Sequence, residues 1–497
     1  MLSEKYFLGF DLGTSGARIS VIALSKDPST AFVEIHSDSL LYKNSYDDPQ
    51  SWTETVHKLL VNTPKSILGK TQAICVSGTS ASCLIVDTIT RTVSRQPKMY
   101  DYDIVLKDEH SKNIMNDIEN FAPPNHTVRS PTSTLAKLLH YHSTSPLSSS
   151  SKLLHQADYI TSTLLSSQST LESYTSISDW HNVLKLGYDI RNLEWPLWIR
   201  LCLEHFSIPF TVLPNKVVSP GQVIGTIDSN VSKLYGIHRD CLLVGGTTDS
   251  NAAFFAASSD AIGSFPSSSS MAGIAVTSLG STLAIKMTST AFIEDSKRGV
   301  YSHRFPSSFS SSNIASDSES LWLVGGASNV GCAILRQEQY SNQELDECSQ
   351  LINPMIDCAY DYYPLTKQGE RFPVADSLKL PIMDPKPKQN NRVEYLHAIL
   401  QGIAKVECQG YKALGDLGAI PSFPSTIWTC GGGSKNPMWT KMRQRLLVKQ
   451  RKDLSLVVGD TNEALLELPV RRALQSEASF GAAVIAASTF HYEIAGV

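Results

Sequence analysis

The sequence predicts an α/β protein of two domains. Its 497 residues exceed the ~250–300 residues beyond which a single hydrophobic core stops growing. Short apolar runs that end in glycine- and hydroxyl-rich turns recur along the chain, and the opening layout at Phe7–Arg18 returns near Ile274. Ligands of α/β sheets bind at the carboxyl ends of strands, so these turns are the predicted ligand-binding positions. The pattern starts afresh near Ala257, which predicts domains at 1–256 and 257–497.

Composition narrows the class of partner. The net charge of −4 argues against nucleic acid as the main partner. The sequence contains no uninterrupted apolar stretch of about 18 residues, so we expect no membrane span. Nine scattered cysteines without a CxxC pair predict free thiols. No Ser/Arg-rich leader is visible before Tyr6, so we expect a cytoplasmic protein, with a plastid location as the alternative. A monomer or a homodimer is expected.

The opening stretch is the first predicted element. Tyr6–Phe10 is an apolar run, Asp11–Gly16 holds two glycines and two hydroxyls, and Arg18–Leu24 is apolar again, which predicts a β-hairpin. An aspartate that ends a buried strand must be paired or must hold a cation. The glycines allow the backbone to approach a ligand, and its N–H groups can bind an anion. This combination suits a phosphate with a magnesium ion; an ordinary glycine-rich hairpin is the alternative.

The elements that follow in the first half alternate between strands and helices. In chain order we predict a helix from about Asp48 to Asn62, a strand at Ala73–Ser77 with its turn at Gly78–Ser82, a helix at Leu153–Leu165, a loop at Asp179–Asn182, and a strand at Cys241–Val244 that ends in Gly245–Asn251.

The second half repeats the opening layout. In chain order we predict a strand at Ile274–Leu279 with the turn Gly280–Thr282, a helix that begins within Trp322–Asn329, a long amphipathic helix at Val393–Leu414, a strand at Thr426–Cys430 with the turn Gly431–Gly433, and a closing helix at Glu477–Ala487.

Five segments together resemble the FGGY carbohydrate kinases, which belong to the actin-like ATPase superfamily, over nearly the whole chain. The segments are Gly9–Thr14, Gly245–Asp249, Leu279–Thr282, Gly431–Trp439 and Glu477–Ala483. The resemblance implies an α/β fold of two actin-like (ribonuclease H-like) ATPase domains with the active site in the interdomain cleft. It also implies that the sugar binds mainly to domain 1–256 and ATP mainly to domain 257–497.

The resemblance implies catalytic roles for three residues. Asp11 would orient Mg²⁺, Thr14 would face the γ-phosphate of ATP, and Asp249 would be the general base that accepts the proton of the sugar hydroxyl. We expect the two carboxylates to meet across the gap between the two halves. For Asp249 the alternative is an N-cap of the helix that follows it.

The resemblance also implies the nucleotide-binding residues, besides Thr14. Ser281 and Thr282 would hold the β- and γ-phosphates, whereas the remaining candidates would surround the nucleoside: Gly326, Asn329, Gly432, Gly433, Asn436 and Trp439. Core packing is an equal alternative for Trp439.

The candidate sugar contacts lie in the first half, at Asp11, Ser15, Gly16, Ser80 and Asp249. Relatives that phosphorylate xylulose carry Gln-Met-His where this chain has Thr79-Ser80-Ala81. The chain is most similar to the compact plant and cyanobacterial branch that resembles D-ribulose kinases. We therefore expect phosphorylation of D-ribulose at its terminal hydroxyl, with D-xylulose as the alternative sugar. A non-catalytic homologue that acts as a sensor or scaffold is the alternative of a different class.

Two segments are longer than the family spacing, near 264–273 and 448–466. Surface loops absorb such length at little entropic cost. The alternatives are native loops or retained intron sequence in the gene prediction.

Overall fold

The computed structural model describes residues 5–27, 30–108, 111–166, 177–263, 271–309, 320–388, 391–458 and 467–490. Parts of the two extra segments, 264–270 and 459–466, lie outside the described residues. The chain forms two compact units, and the division is not a single cut in the sequence. The first unit contains Met1–Ser269, Pro306–Asp317 and Gln475–Val497, and the second contains Ser270–Phe305 and Ser318–Leu474.

The first unit is built on a mixed sheet. The strands of the first unit, in this sheet and in the smaller sheets β6-β5-β7 and β8-β9, are β1 (Tyr6–Leu12), β2 (Gly16–Leu24), β3 (Phe32–Leu41), β4 (Thr71–Gly78), β5 (Cys83–Asp87), β6 (Thr92–Lys98), β7 (Ser151–His155), β8 (Ile177–Asp179), β9 (Lys216–Val218), β10 (Val223–Thr226), β11 (Leu242–Val244) and β12 (Thr247–Thr248). Within the described residues the main sheet has the order β10-β11-β4-β1-β2-β3, and β12 also pairs with β4.

Helices cover this sheet and cap its ends. They are α1 (Pro49–Asn62), α2 (Lys65–Leu68), α3 (Ile104–Lys107), α4 (Ser111–Phe121), α5 (Thr134–Thr144), α6 (Gln156–Leu164), α7 (Trp180–Val183), α8 (Leu197–His205), α9 (Ser229–Tyr235), α10 (Asp249–Ala257) and α11 (Ser259–Gly263). The predicted helix at the Asp48 cap is confirmed, since the Asp48 carboxylate accepts a hydrogen bond from the Gln50 N–H. Apolar residues of β1, including Leu8 and Phe10, are fully buried in the core.

The second unit has one six-stranded sheet within the described residues. Its elements are β13 (Ile274–Leu279), β14 (Leu283–Ser289), β15 (Tyr301–Arg304), β16 (Trp322–Ser328), α12 (Ala333–Gln337), α13 (Asn342–Leu351), α14 (Arg392–Asp416), β17 (Thr426–Cys430), α15 (Pro437–Val458) and β18 (Val470–Arg472). The strand order is β15-β16-β14-β13-β17-β18. The predicted long helix and the predicted strand before Gly431 are confirmed here.

The closing helix α16 (Ala478–Ser488) belongs to the first unit. Glycine at position 9 lets β1 approach this helix, because a Cβ there would collide with the backbone of Ser479 and Ala483. The Ser20 and Ser479 hydroxyls are also hydrogen-bonded at 2.8 Å. None of the described helices is long and apolar enough to cross a membrane.

The two units share one strand arrangement. Each has an antiparallel hairpin (β1–β2 and β13–β14) with a third antiparallel strand beside it, β3 or β16. On the other side of the hairpin a parallel strand follows, β4 or β17, and then a second parallel strand, β11 or β18. The repeated layout predicted from the sequence is therefore present, and it brings the turns of each unit to one edge of its sheet.

Three local predictions were wrong. Trp322–Ser328 is the strand β16 rather than the start of a helix, because it pairs with β14 and β15 on both sides. The predicted loop at Asp179–Asn182 contains the short helix α7, which the Asp179 carboxylate caps through the His181 and Asn182 N–H groups. The predicted helix at Leu153–Leu165 is divided, since its first residues belong to strand β7 and pair with β5.

Candidate active site

Asp11 lies near the end of β1 and is almost completely buried. Ser77 of the neighbouring strand donates its hydroxyl to Asp11 Oδ1 at 2.8 Å, and Arg18 Nη1 lies 3.6 Å from Oδ2. Arg18 also pairs with Glu477, with 3.3 Å between Nε and Oε2. Burial first, and then repulsion from Asp249, raises the pKa of Asp11 to about 6. The carboxylate is thus held in place, but one exposed arginine compensates its charge only partly.

Asp249 lies close enough to Asp11 for the two carboxylates to repel each other. The sheet explains this proximity, because β12 pairs with β4 at Ser77–Gly78 while β4 pairs with β1 on its other side. Both carboxylates belong to the first unit, so the expectation that they meet across a gap between the halves was wrong. Thr248 occupies the N-cap of α10, and Asp249 is in the first helical turn.

The turn between β1 and β2 exposes Thr14 and Ser15. Tyr42 closes the turn from behind, because its hydroxyl donates to the Gly13 carbonyl oxygen at 3.2 Å and its N–H donates to that of Ser15 at 3.1 Å. Gly16 differs from these residues: it is buried against β3, where a Cβ would collide with the Leu40 carbonyl. Thr14 and Ser15 can therefore reach a ligand directly, whereas Gly16 serves strand packing.

The turn after β4 holds Ser80 half-buried. Thr79 donates both its N–H and its hydroxyl to Gln156 Oε1, at 3.0 and 2.8 Å. On the other side, the fully buried Lys137 ammonium donates to the carbonyl oxygens of Ala81 at 2.9 Å and Met99 at 2.7 Å. Burial lowers the pKa of Lys137 to about 8. The turn is fixed at both ends, and Ser80 lies between these supports.

In the second unit, the hairpin turn after β13 exposes Ser281 and Thr282. The segment before α12 is hydrogen-bonded to this turn: the Cys332 N–H donates to the Gly280 carbonyl oxygen at 2.8 Å, and the Ala333 N–H to that of Ser281 at 3.2 Å. These bonds occupy carbonyl groups of the turn and involve none of its hydroxyls.

The glycine turn after β17 lies against the same hairpin. Gly431 adopts a φ of 82°, which favours glycine, and a Cβ there would lie 2.7 Å from the Leu279 carbonyl oxygen. A Cβ on Gly433 would lie 2.5 Å from the Trp439 ring and 2.8 Å from Leu279 Cβ. Gly432 has open space beside it. This exposed backbone can accept a flat ligand without side-chain obstruction.

The nucleoside candidates divide into exposed and packed residues. Trp439 is only 1% exposed and its Nε1 donates to the Leu400 carbonyl oxygen at 3.0 Å, which favours the core-packing alternative. Asn436 caps α15 by accepting from the Trp439 N–H and donates to Ser349. Asn329 is half-buried and donates to the Gly369 carbonyl oxygen, while Gly326 lies inside β16 against the Phe372 ring. Gly431 and Gly432 are thus more accessible than Gly326 and Trp439.

Sequence reasoning missed the residues that hold these turns, namely Ser77, Lys137, Gln156 and Arg336. Arg336 is exposed and donates from Nη2 to Ser281 Oγ at 3.0 Å. For Lys137 a signal exists, because a single cation inside the apolar run Leu135–Leu139 must find buried acceptors. The roles of Ser77 and Gln156 depend on strand register and have no comparable signal.

Comparisons with known proteins agree with this arrangement. The model of the FGGY family of carbohydrate kinases, N-terminal domain, matches residues 6–256, and that of the C-terminal domain matches residues 283–490.

Solved structures of similar fold include a xylulose kinase from Rhodospirillum rubrum, with 16% identity and a TM-score of 0.72 over 97% of this chain and 89% of that one. A glycerol kinase from Plasmodium falciparum with ADP shows 15% identity and a TM-score of 0.73 over 98% and 90%. A gluconate kinase from Lactobacillus acidophilus shows 17% identity and a TM-score of 0.69 over 99% and 92%.

At these identities the likeness to solved structures shows the fold alone. The names of the three kinases give three different phosphoryl acceptors. The family matches cover most of the chain, and members of this family use ATP as phosphoryl donor. The two actin-like α/β units therefore belong to a sugar phosphotransferase: the chain is a member of the FGGY family of carbohydrate kinases.

Proposed function

We propose that the chain transfers the γ-phosphoryl group of ATP to the terminal hydroxyl of a pentulose, D-ribulose, and forms D-ribulose 5-phosphate. The strand pairing that brings Asp11 and Asp249 to the ends of the two strands flanking β4 in the first unit carries this proposal. A non-catalytic sensor would not require two mutually repelling carboxylates at one sheet edge. We assign sugar binding to domain 1–256 and nucleotide binding to domain 257–497.

Asp249 is proposed as the general base. The acceptor oxygen must lose its proton as it bonds to phosphorus, and a carboxylate within hydrogen-bonding reach can take that proton. Asp249 is half-buried at the start of α10, so it is accessible and yet has a fixed backbone. Its side chain is proposed to orient the sugar hydroxyl, with Thr14 toward the γ-phosphate and Ser15 toward the sugar.

The residues around Asp11 fit a magnesium ion. The described residues contain no cluster of three or more metal-ligating side chains, and Mg²⁺ needs few, because it keeps several waters and uses one or two carboxylates with phosphate oxygens. A cation here would relieve the repulsion between Asp11 and Asp249. When bound, Mg²⁺ would neutralise charge on the nucleotide phosphates. Asp11 would hold it, with Ser77 fixing the carboxylate.

The turn after β4 supports the choice of sugar. The Thr79 hydroxyl is hydrogen-bonded to Gln156, so we assign the sugar contact to the half-buried Ser80, where xylulose-phosphorylating relatives carry a larger side chain. A pocket built from hydrogen-bonding groups rejects an analogue that leaves them without partners. This departure favours D-ribulose over D-xylulose.

The test is ADP release by the purified chain with D-ribulose, D-xylulose, glycerol and gluconate, each measured with wild type and Asp249→Asn. We expect the highest kcat/KM with D-ribulose, and a loss of kcat of about 10²–10⁴-fold in Asp249→Asn, since the amide accepts no proton.

Asp228→Asn is the matched control, because Asp228 caps α9 in the same unit and asparagine caps equally well. Undiminished turnover by Asp249→Asn would refute its role as base. A chain that binds ATP and phosphorylates no sugar would leave the sensor alternative.

A further inference from the structure

The side chain of Arg336 lies beside the β13–β14 hairpin turn of the second unit, and the proposed function assigns it no role. Arg336 stands near the end of α12, exposed, and its Nη2 donates to Ser281 Oγ at 3.0 Å. Within the described residues, no carboxylate lies within ion-pair distance of its guanidinium. An arginine has five N–H donors, so most of them remain available to a ligand.

The backbone holds Arg336 close to this turn. Besides the bonds from Cys332 and Ala333 to the turn carbonyls, the Leu283 N–H donates to the Val330 carbonyl oxygen at 2.7 Å. Glycine at position 331 permits this approach, since a Cβ there would lie 2.5 Å from the Ser281 carbonyl oxygen. The turn and the segment that carries Arg336 thus form one tightly packed corner.

The same corner can donate from the backbone. In the part of the chain that the structure describes, no protein group accepts a hydrogen bond from the N–H groups of Ser281 or Thr282. Ser281, Thr282 and Arg336 are all exposed, and the Arg336 guanidinium contacts the Ser281 hydroxyl. Backbone N–H groups in such a turn form an anion-binding concavity, and arginine binds phosphate in bidentate fashion.

We propose that Arg336 binds the β- and γ-phosphates of the nucleotide, together with Ser281 and Thr282. This inference rests on the proposed function for the identity of the anion. Arg336 would then contact the phosphates directly. In the absence of ligand, the hydrogen bond to Ser281 keeps the guanidinium next to the turn.

The experiment is isothermal titration of the full chain with ADP and with adenosine. For Arg336→Gln we expect the Kd for ADP to rise about 10- to 100-fold, because a hydrogen bond to a charged group is lost, while the Kd for adenosine stays unchanged. Arg336→Lys, which keeps the charge as a point donor, should lose less affinity for ADP than Arg336→Gln.

Arg298→Gln is the matched control, since Arg298 is a cation of the same unit that pairs with Asp295 at 2.9 Å. Unchanged ADP affinity in Arg336→Gln would overturn the inference, as would equal losses for ADP and adenosine. The titration needs no sugar, so its outcome is separate from the proposed function. A wild type that binds ADP but phosphorylates no sugar would refute the function and leave the Arg336 result standing.

Discussion

Asp11 of the first unit and Ser278 of the second unit occupy corresponding places. Each is the penultimate residue of the first hairpin strand, one register position before the turn. In the parallel neighbouring strand, Asp11 is opposite Ser77, and Ser278 is opposite Cys430. The backbone plan is therefore satisfied by an aspartate or by a serine. Since the fold does not require a carboxylate at this position, the buried carboxylate of Asp11 indicates a functional rather than a structural role.

The turns that follow the neighbouring parallel strands, β4 in the first unit and β17 in the second, also differ. After β4, the turn at Gly78–Ser82 carries hydroxyls and is fixed by Gln156 and Lys137. After β17, the turn at Gly431–Gly433 has no side chains and lies against Leu279. Hydroxyls fixed in position suit a polyhydroxylated sugar, whereas bare backbone suits a flat ring. The comparison supports assigning the sugar to the first unit and the nucleotide to the second.

The second unit also contains a fully buried ion pair between an arginine and a glutamate. Arg443 and Glu407 are both fully buried and joined by two hydrogen bonds of 2.6 Å. Thr429 of β17 accepts from the Arg443 guanidinium, and Thr277 of β13 donates to Glu407. This network links α14 and α15 to the two strands that end at the turns Gly280–Thr282 and Gly431–Gly433.

The largest expected effect is on the stability of the second unit. Arg443→Leu should reduce its free energy of unfolding by about 3–5 kcal/mol, because Glu407 would remain buried without its partner. Urea unfolding of the full chain measures this change. Lys412→Leu is the control: both side chains of its ion pair with Asp416 are exposed, so its loss should cost about 0–1 kcal/mol. Equal losses in the two variants would contradict the importance of burial.

The next largest effect is expected from a variant that removes the difference between the two hairpins. Asp11→Ser gives the first unit the residue of the second, and kcat should fall about 10²–10³-fold, as when a preorganised electrostatic group is removed. The thermal midpoint should not fall, because a buried charge is removed and Ser278 shows that serine fits this place. Ser278→Ala is the control and should leave kcat nearly unchanged. A drop in stability that matches the drop in kcat would assign Asp11 a structural role.

The smallest effect is expected from a variant that loosens the turn after β4 and leaves the turn after β17 unchanged. Lys137→Met should raise the KM for the sugar about 10- to 100-fold, since two carbonyl oxygens lose a charged donor and Ser80 is released. The Kd for ADP should stay constant, because the turns that we propose to bind the nucleotide are in the other unit. Steady-state kinetics with varied sugar, and titration with ADP, provide the two measurements. Equal changes in both constants would indicate general disruption.

Much of this arrangement could be read from particular residues. Glycine and hydroxyl residues after short apolar runs predicted the turns at Gly13, Gly78, Gly280 and Gly431, because only such residues allow a tight reversal with close ligand approach. Trp322–Ser328 was misassigned because its two glycines resemble a turn before a helix. Only the pairing with β14 and β15 shows that it is a strand.

The sequence by itself predicted the repeated hairpins from local spacing, and its resemblance to a known family over five segments indicated the family and singled out Asp11 and Asp249. Tertiary structure decided that Asp11 and Asp249 lie close together, since their proximity depends on β4 lying between β1 and β12. It also decided that Trp439 is buried and that Arg336 reaches Ser281. Burial and long-range hydrogen bonds depend on which elements pack together, and spacing along the chain does not encode that.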